Sequence, residues 1–310
     1  MTPTQKSSAS VNTALVLWML LLTLIWGLSA LSAKVITTGI APMMTAGARG
    51  LLALLVLTGY ALARRHSLRI PARMLPLAVA TGVLQAMDFL FYFQGARLTT
   101  SGQLSVFVNT APLFVAAVAH LLLPNDRLHP FKAAGLLVSF IGVIALFSAD
   151  LLTEGFGHWQ GNLWVLGSSL SWGASTLVIK RFLSDELSAF ELLYVRLLVS
   201  SPLLLLVSLG VERQPFFGVT PLIVALVLFQ ALVVVVFSYM MWLWLLRRYP
   251  ASALHAFTVL SPGWDVVLGV LVLGERVTLA MALGMALVGA GLLLVSRPPP
   301  ARPASPTEGT

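Results

Sequence analysis

Ten mostly apolar stretches follow one another through the 310 residues of this chain, at 14–33, 43–63, 74–94, 98–122, 131–148, 162–180, 188–208, 221–245, 251–273 and 279–296. Each is about the length a helix needs to cross a bilayer, roughly 20 residues. Hydrocarbon offers the backbone no hydrogen-bond partner, so such a stretch folds as a helix that pairs its own polar groups. The expected class is therefore an all-α polytopic membrane protein with ten transmembrane helices. Only 10% of the residues are charged, against 58% hydrophobic, which excludes an ordinary soluble domain, where about a quarter are charged. The formal charge of +8 is no nucleic-acid footprint, because Lys and Arg sit in short clusters between the apolar runs. With no cysteine, the chain has no disulfide, thiolate metal ligand or thiol nucleophile.

A nine-residue pattern, W-G-x-S-x-x-x-x-K, occurs twice, from Trp26 to Lys34 and from Trp172 to Lys180. Further positions align in the same order: Arg49 with Arg196, Pro112 with Pro262, and Gly135 and Gly142 with Gly284 and Gly291. The chain is thus expected to be a duplication, with five-helix repeats over 14–148 and 162–296. Residues 1–13 form a short cytoplasmic segment, and 297–310 a disordered Pro-rich cytoplasmic tail. Five is odd, so the second repeat enters the membrane from the opposite side, as in inverted-topology carriers. Charge agrees: with both termini inside, thirteen Lys and Arg fall on the cytoplasmic side and four outside, leaving Arg49 and Arg196 within helices.

Ionisable residues inside a membrane are costly and mark function or pairing. Asp88, in the outer half of the third helix beside Tyr92, is a candidate for contact with a proton or a substrate amine, or for a structural pair with Arg49. Asp265, next to Trp264, and His255 are further proton-coupling candidates. Arg49 and Arg196, recurring in both repeats, are expected to be structural clamps. Pro112 and Pro262 interrupt the hydrogen bonding of their helices, and matched interruptions point to a midplane site. Asn109 and Thr110, and Thr258 and Ser261, are suited to satisfying the carbonyls so freed. Trp26 and Ser29, like Trp172 and Ser175, share one helix face and are expected to line a central path with Ser238, Tyr239 and Trp242. Gly135, Gly142, Gly284 and Gly291 favour close helix contact. No catalytic motif, Walker loop, metal site or cofactor site is recognisable, and none is expected.

Together, W-G-x-S at Trp26 and Trp172, Arg49 and Arg196, Pro112 and Pro262, the doubled glycines and Gly274-Glu275-Arg276 resemble the drug/metabolite transporter superfamily, EamA type. The resemblance covers about residues 14–296. It implies an inner-membrane secondary transporter that exports a small amphipathic metabolite, such as an amino acid, by alternating access, with protons as a candidate coupling ion. Its partners would be a small-molecule substrate and the lipid bilayer. Import or facilitation by the same fold, and an intramembrane enzyme, are the alternatives. The family pattern also places a Glu after the fourth helix, where this chain has Pro124-Asn125-Asp126-Arg127.

Overall fold

The protein, a computed structural model, is described over residues 13–65, 68–99, 101–146, 148, 152, 158–273, 279–295 and 297. The N-terminal segment before Thr13, the tail after Arg297, the Gly274-Glu275-Arg276 motif and the side chains of Lys34 and Asp265 lie outside the described residues. The first half of the chain supplies α1 (Thr13–Ile36), α2 (Pro42–Ala63), α3 (Leu75–Leu98), α4 (Ser101–Val108), α5 (Ala111–Leu122) and α6 (Pro130–Leu146). The second supplies α7 (Trp159–Val178), a π-helical turn (Ile179–Leu183), α8 (Ala189–Val211), α9 (Pro221–Phe229), a π-helical segment (Gln230–Ser238), α10 (Tyr239–Arg248), α11 (Ala251–Thr258), α12 (Ser261–Leu273) and α13 (Leu279–Val295). Among the described residues there is no strand, only an isolated antiparallel bridge between Ile40 and Phe216.

This is a multi-pass membrane protein. Among the described residues six stretches are long and apolar enough to cross a bilayer: Thr13–Ala33, Pro42–Ala63, Leu75–Leu98, Gln103–Leu122, Ala189–Val211 and Pro221–Arg248. The apolar helices Pro130–Leu146 and Ala282–Val295 are shorter. By contrast α7 is rich in polar groups, burying Asn162, Ser168, Ser169, Ser171, Ser175 and Thr176. Ends are fixed locally: Ser188 and Glu191 form a capping box at the start of α8, and the Glu212 carboxylate accepts from the Met43 and Met44 amides that open α2, at 2.9 and 3.0 Å.

The proline-bearing segments are broken, not merely kinked. Helical bonding stops at Asn109–Thr110 and at Val259–Leu260, and each proline falls in the first turn of the following helix, where its missing N–H costs nothing. The Val108 carbonyl left at the first break accepts from Ser169 Oγ of α7 at 3.1 Å, and the neighbouring Phe107 carbonyl accepts from the same hydroxyl at 2.9 Å. Asn109 and Thr110, expected to serve the freed Val108 carbonyl, turn back to the Ser105 and Phe107 carbonyls instead. A short side chain bonds most easily within its own turn, so the second partner of the break comes from a neighbouring helix.

The two halves are interleaved: α3 lies along α7 and α8, α2 along α8, α1 against α12, and α6 against α13. At this last crossing a Cβ on Gly142 would come within 2.8 Å of the Gly284 carbonyl, and one on Gly135 within 2.5 Å of the Gly291 carbonyl. Backbone cannot yield as a side-chain tip can, so Gly142→Ala should cost about 1–3 kcal/mol through overpacking. Thermal unfolding in detergent tests this against Gly59→Ala, whose Cβ meets nothing within 4 Å. Equal midpoints for the two variants would rule it out.

The largest apolar core gathers at one end of the bundle. Leu15, Met19 and Leu22 of α1 join Leu183, Leu187, Leu192, Leu243 and Leu254, all 0% exposed. Arg73 pairs with Glu186 at this end, at 2.9 Å, and the Lys180 ammonium donates to the Leu246 and Tyr249 carbonyls that finish α10. Such a basic rim lets long cationic side chains satisfy helix C-termini.

Candidate functional site

Towards the other end from that core, the halves separate around a cavity of about 270 Å3. Into it α1 turns Trp26 and Ser29, α3 turns Gln85, Asp88, Phe89 and Tyr92, and α7 turns Ser168 and Trp172. Arg49 of α2, Arg196 of α8, and Tyr239 and Trp242 of α10 complete most of its wall. An apolar hollow with a few convergent polar groups is the usual form of a small-molecule site. A second hollow of about 210 Å3 shares Trp26, Tyr92, Val108 and Trp172 with the first and extends to Asn109, Thr258 and Pro262, at the two helix breaks.

Three tryptophans separate this space from the apolar core. Trp26 meets Trp172 edge-on at 6.2 Å, and Trp242 packs against both, at 5.5 and 5.7 Å. Behind them His255, 0% exposed, lies 4.4 Å from the Trp172 ring and bonds Thr176 through Nε2. The Trp26 indole donates to Ser238 Oγ at 3.0 Å. No hydrogen bond engages the Trp172 indole among the described residues, so ring packing alone holds it.

The charged groups occupy three stations. Asp88 accepts from Ser168 Oγ at 2.6 Å. Arg49 donates to Gln230 Oε1 at 2.7 Å and lies 4.7 Å from the Phe89 ring centroid. Gln230 in turn donates to Ser32 Oγ at 2.8 Å and to the Ser29 carbonyl at 2.9 Å, tying α1, α2 and the π-helical segment into one clamp. Arg196 is 7% exposed, and its Nε has no partner. Two guanidinium groups thus face one carboxylate, giving the cavity an excess of positive charge with aromatic surface on several sides.

Of the residues singled out in the sequence, Trp26, Ser29, Asp88, Tyr92, Trp172, Tyr239 and Trp242 meet at the larger hollow, and Asn109 and Pro262 at the smaller. Pro112, Ser175, Ser238 and His255 are buried outside these walls. The Asp265 side chain lies outside the described residues. Arg49 and Arg196, expected as scaffold, stand in the wall itself, because α2 and α8 pack together and each turns its arginine into the cavity. Gln85, Ser168, Ser169 and Gln230 escaped the sequence reading. Glutamines inside apolar runs, at 85 and 230, are the signal that was available, since a membrane polar group needs a partner. Among the described residues no cluster of three or more His, Asp or Glu could hold a metal.

Comparison with known proteins gives a concordant picture. The EamA-like transporter family matches over residues 13–148 and again over 159–297. A probable amino-acid metabolite efflux pump of Salmonella typhimurium is 25% identical over 283 residues, 89% of this chain and 92% of its own length. The uncharacterized transporter YoaV of Bacillus subtilis is 26% identical, over 88% of this chain and 93% of its own length. A crystal structure superposes with a TM-score of 0.77 at 20% identity, covering 92% of this chain and 98% of that one; at that identity the likeness concerns the fold.

Proposed function

Because the chain belongs to the EamA-like transporter family, we propose that it exports a small amphipathic metabolite, of the amino-acid class, across the inner (plasma) membrane by alternating access. Ten spans in two inverted five-helix repeats, both termini cytoplasmic, form the frame of this reading. The frame is supported by the doubled W-G-x-S pattern and by contacts that map onto each other when the halves are exchanged: α3 with α7 answers α1 with the π-helical segment, and α5 with α7 answers α1 with α12. With the basic rim in the cytoplasm, the apolar core becomes a closed cytoplasmic gate and the cavity belongs to an outward-facing form.

The observation that carries the reading is the cavity between the halves, whose aromatic wall holds both signs of charge. It suits a solute with an apolar body and a charged head. The Salmonella relative, a probable amino-acid metabolite efflux pump, favours export of solutes of that class. A proton gradient is the candidate driving force, and Asp88, the carboxylate of that wall, the candidate coupling group.

Purified protein in liposomes loaded with labelled amino acids tests this directly. Asp88→Asn should reduce efflux about tenfold or more, the worth of one charge-assisted hydrogen bond, and should abolish any acceleration by a pH gradient. Efflux no faster than from protein-free liposomes would defeat the transport reading. Efflux indifferent to both the gradient and the substitution would defeat the role of Asp88.

A further inference from the structure

The duplicated clamp is closed in one copy and open in the other. Around Arg49, the Gln230 amide and Ser29 hydroxyl are mutually bonded and the guanidinium is engaged at 2.7 Å. Arg196 is the duplicate of Arg49, and Ser175 of Ser29. Gln85 lines the same cavity as Arg196, on a helix that passes close to it: a Cβ on Gly82, one turn before Gln85, would lie 3.3 Å from Arg196 Cα. In this second copy Arg196 Nε, Gln85 Oε1 and Ser175 Oγ are all buried without a hydrogen-bond partner. They make up three of the five such atoms among the described residues, and two of them, on Arg196 and Gln85, belong to residues that line the cavity.

Each buried donor or acceptor left unpaired costs about 1–3 kcal/mol, and more when charged. A buried polar atom without a partner in a native fold calls for an explanation, and beside a cavity a bound solute supplies one. Arg196 and Gln85 are 7% and 4% exposed, and both open on the cavity. Arg49 already shows what a guanidinium in this setting donates to, an sp2 oxygen at 2.7 Å, that of Gln230. A carboxylate presents two, in the planar geometry that arginine binds best. The orphaned Gln85 Oε1 and the Asp88 carboxylate, one turn apart on α3, are acceptors and suit an ammonium group on the same solute.

Resting on the transport reading above, we infer that Arg196, and not its duplicate Arg49, receives the carboxylate of the transported solute. Arg49 is held by Gln230 and Phe89 and supports the wall. Recognition by one guanidinium makes the carrier selective for acids over their neutral amides.

The test uses leucine and phenylalanine, each against its own carboxamide, in counterflow with purified protein in liposomes. The intrinsic fluorescence of the cavity tryptophans gives binding separately from flux. The wild type should move or bind at least one acid about 10- to 100-fold better than its amide. Arg196→Gln should bring that ratio close to unity by weakening the acid alone, and Arg196→Lys should restore part of it. Arg49→Gln should weaken acid and amide alike. A wild type that treats acid and amide equally overturns the inference while leaving transport standing. So does an Arg196→Gln protein that loses both in proportion, the result expected if the open clamp merely closes on itself during the cycle. A wild type that moves and binds none of the four probes defeats the amino-acid transport reading, and the inference with it.

Discussion

Asp126→Ala is expected to destabilise the protein by about 3–5 kcal/mol, the cost of leaving one member of a buried ion pair uncompensated. The carboxylate is 4% exposed and lies 2.5 Å from the Lys132 ammonium, itself 6% exposed. It also accepts the Ser252 amide at 2.9 Å and the Ser252 hydroxyl. Ser252 stands in the first turn of α11, where backbone N–H groups have no helical acceptor and an anion is favoured. Asp126 lies between α5 and α6, whereas α11 belongs to the other half, so this one side chain ties the halves together at the basic end. Asp126→Asn keeps an acceptor for Ser252 but loses the ion pair, and should fall between the Ala variant and the wild type.

On the transport reading proposed above, the same substitution should open the cytoplasmic gate. With no native cysteine in the chain, a single cysteine at Leu254, 0% exposed beside the tie, is the only thiol for a membrane-impermeant maleimide. In inside-out vesicles its labelling should be slow in the parent and faster by tenfold or more when Asp126→Ala is added, the effect of about 1.4 kcal/mol on the opening equilibrium. Unchanged labelling in a folded double variant would mean that the carboxylate stabilises α11 without guarding access.

That tie shows where sequence reasoning runs out. Asp126 appeared there only as a departure from a family pattern, because its partner is 126 positions away on another helix. Apolar runs and prolines carry their meaning locally, so the helices begin and end close to where composition changes, and the interruptions fall at Asn109–Thr110 and Val259–Leu260 just before the two prolines. The aromatic and acidic members of the wall were likewise legible, since Trp26, Trp172 and Asp88 are out of place in a lipid-facing helix. What stayed hidden depends on which helices are neighbours. Ser169 serves a break in α4–α5, and Gln230 clamps an arginine 181 positions distant. The π-helical segment from Gln230 to Ser238 has no sequence signature of its own, yet it is the element that bonds Trp26 at one end and Arg49 at the other. The difference between the two arginines arises from neighbours of this kind and is invisible in the matched motif.

Trp172→Ala should cost about 3 kcal/mol and turn a gated carrier into a leaky one. Truncating a buried tryptophan costs about 3–5 kcal/mol, and the lower end applies because this ring is partly open to the cavity. It contacts Trp26, Trp242 and His255 at once and is a wall common to both hollows. Its removal joins the two spaces and uncovers His255. The matched residue Trp26 is pinned by Ser238 at 3.0 Å, whereas Trp172 is held by ring contacts worth about 0.5–1.5 kcal/mol each beyond their area. Of the two, Trp172 is therefore the ring freer to swing in the alternating-access cycle proposed above. Trp172→Phe keeps an aromatic plug and should restore most of the stability with only part of the seal. Thermal unfolding in detergent measures the first effect. Passive entry of labelled amino acid into proteoliposomes, with no gradient imposed, measures the second and should rise in the order wild type, Phe, Ala. If Trp172→Ala unfolds at the lower temperature yet remains as tight as the wild type, the seal lies in the leucine core beneath, at Leu22, Leu243 and Leu254, and the tryptophan layer only shapes the solute site.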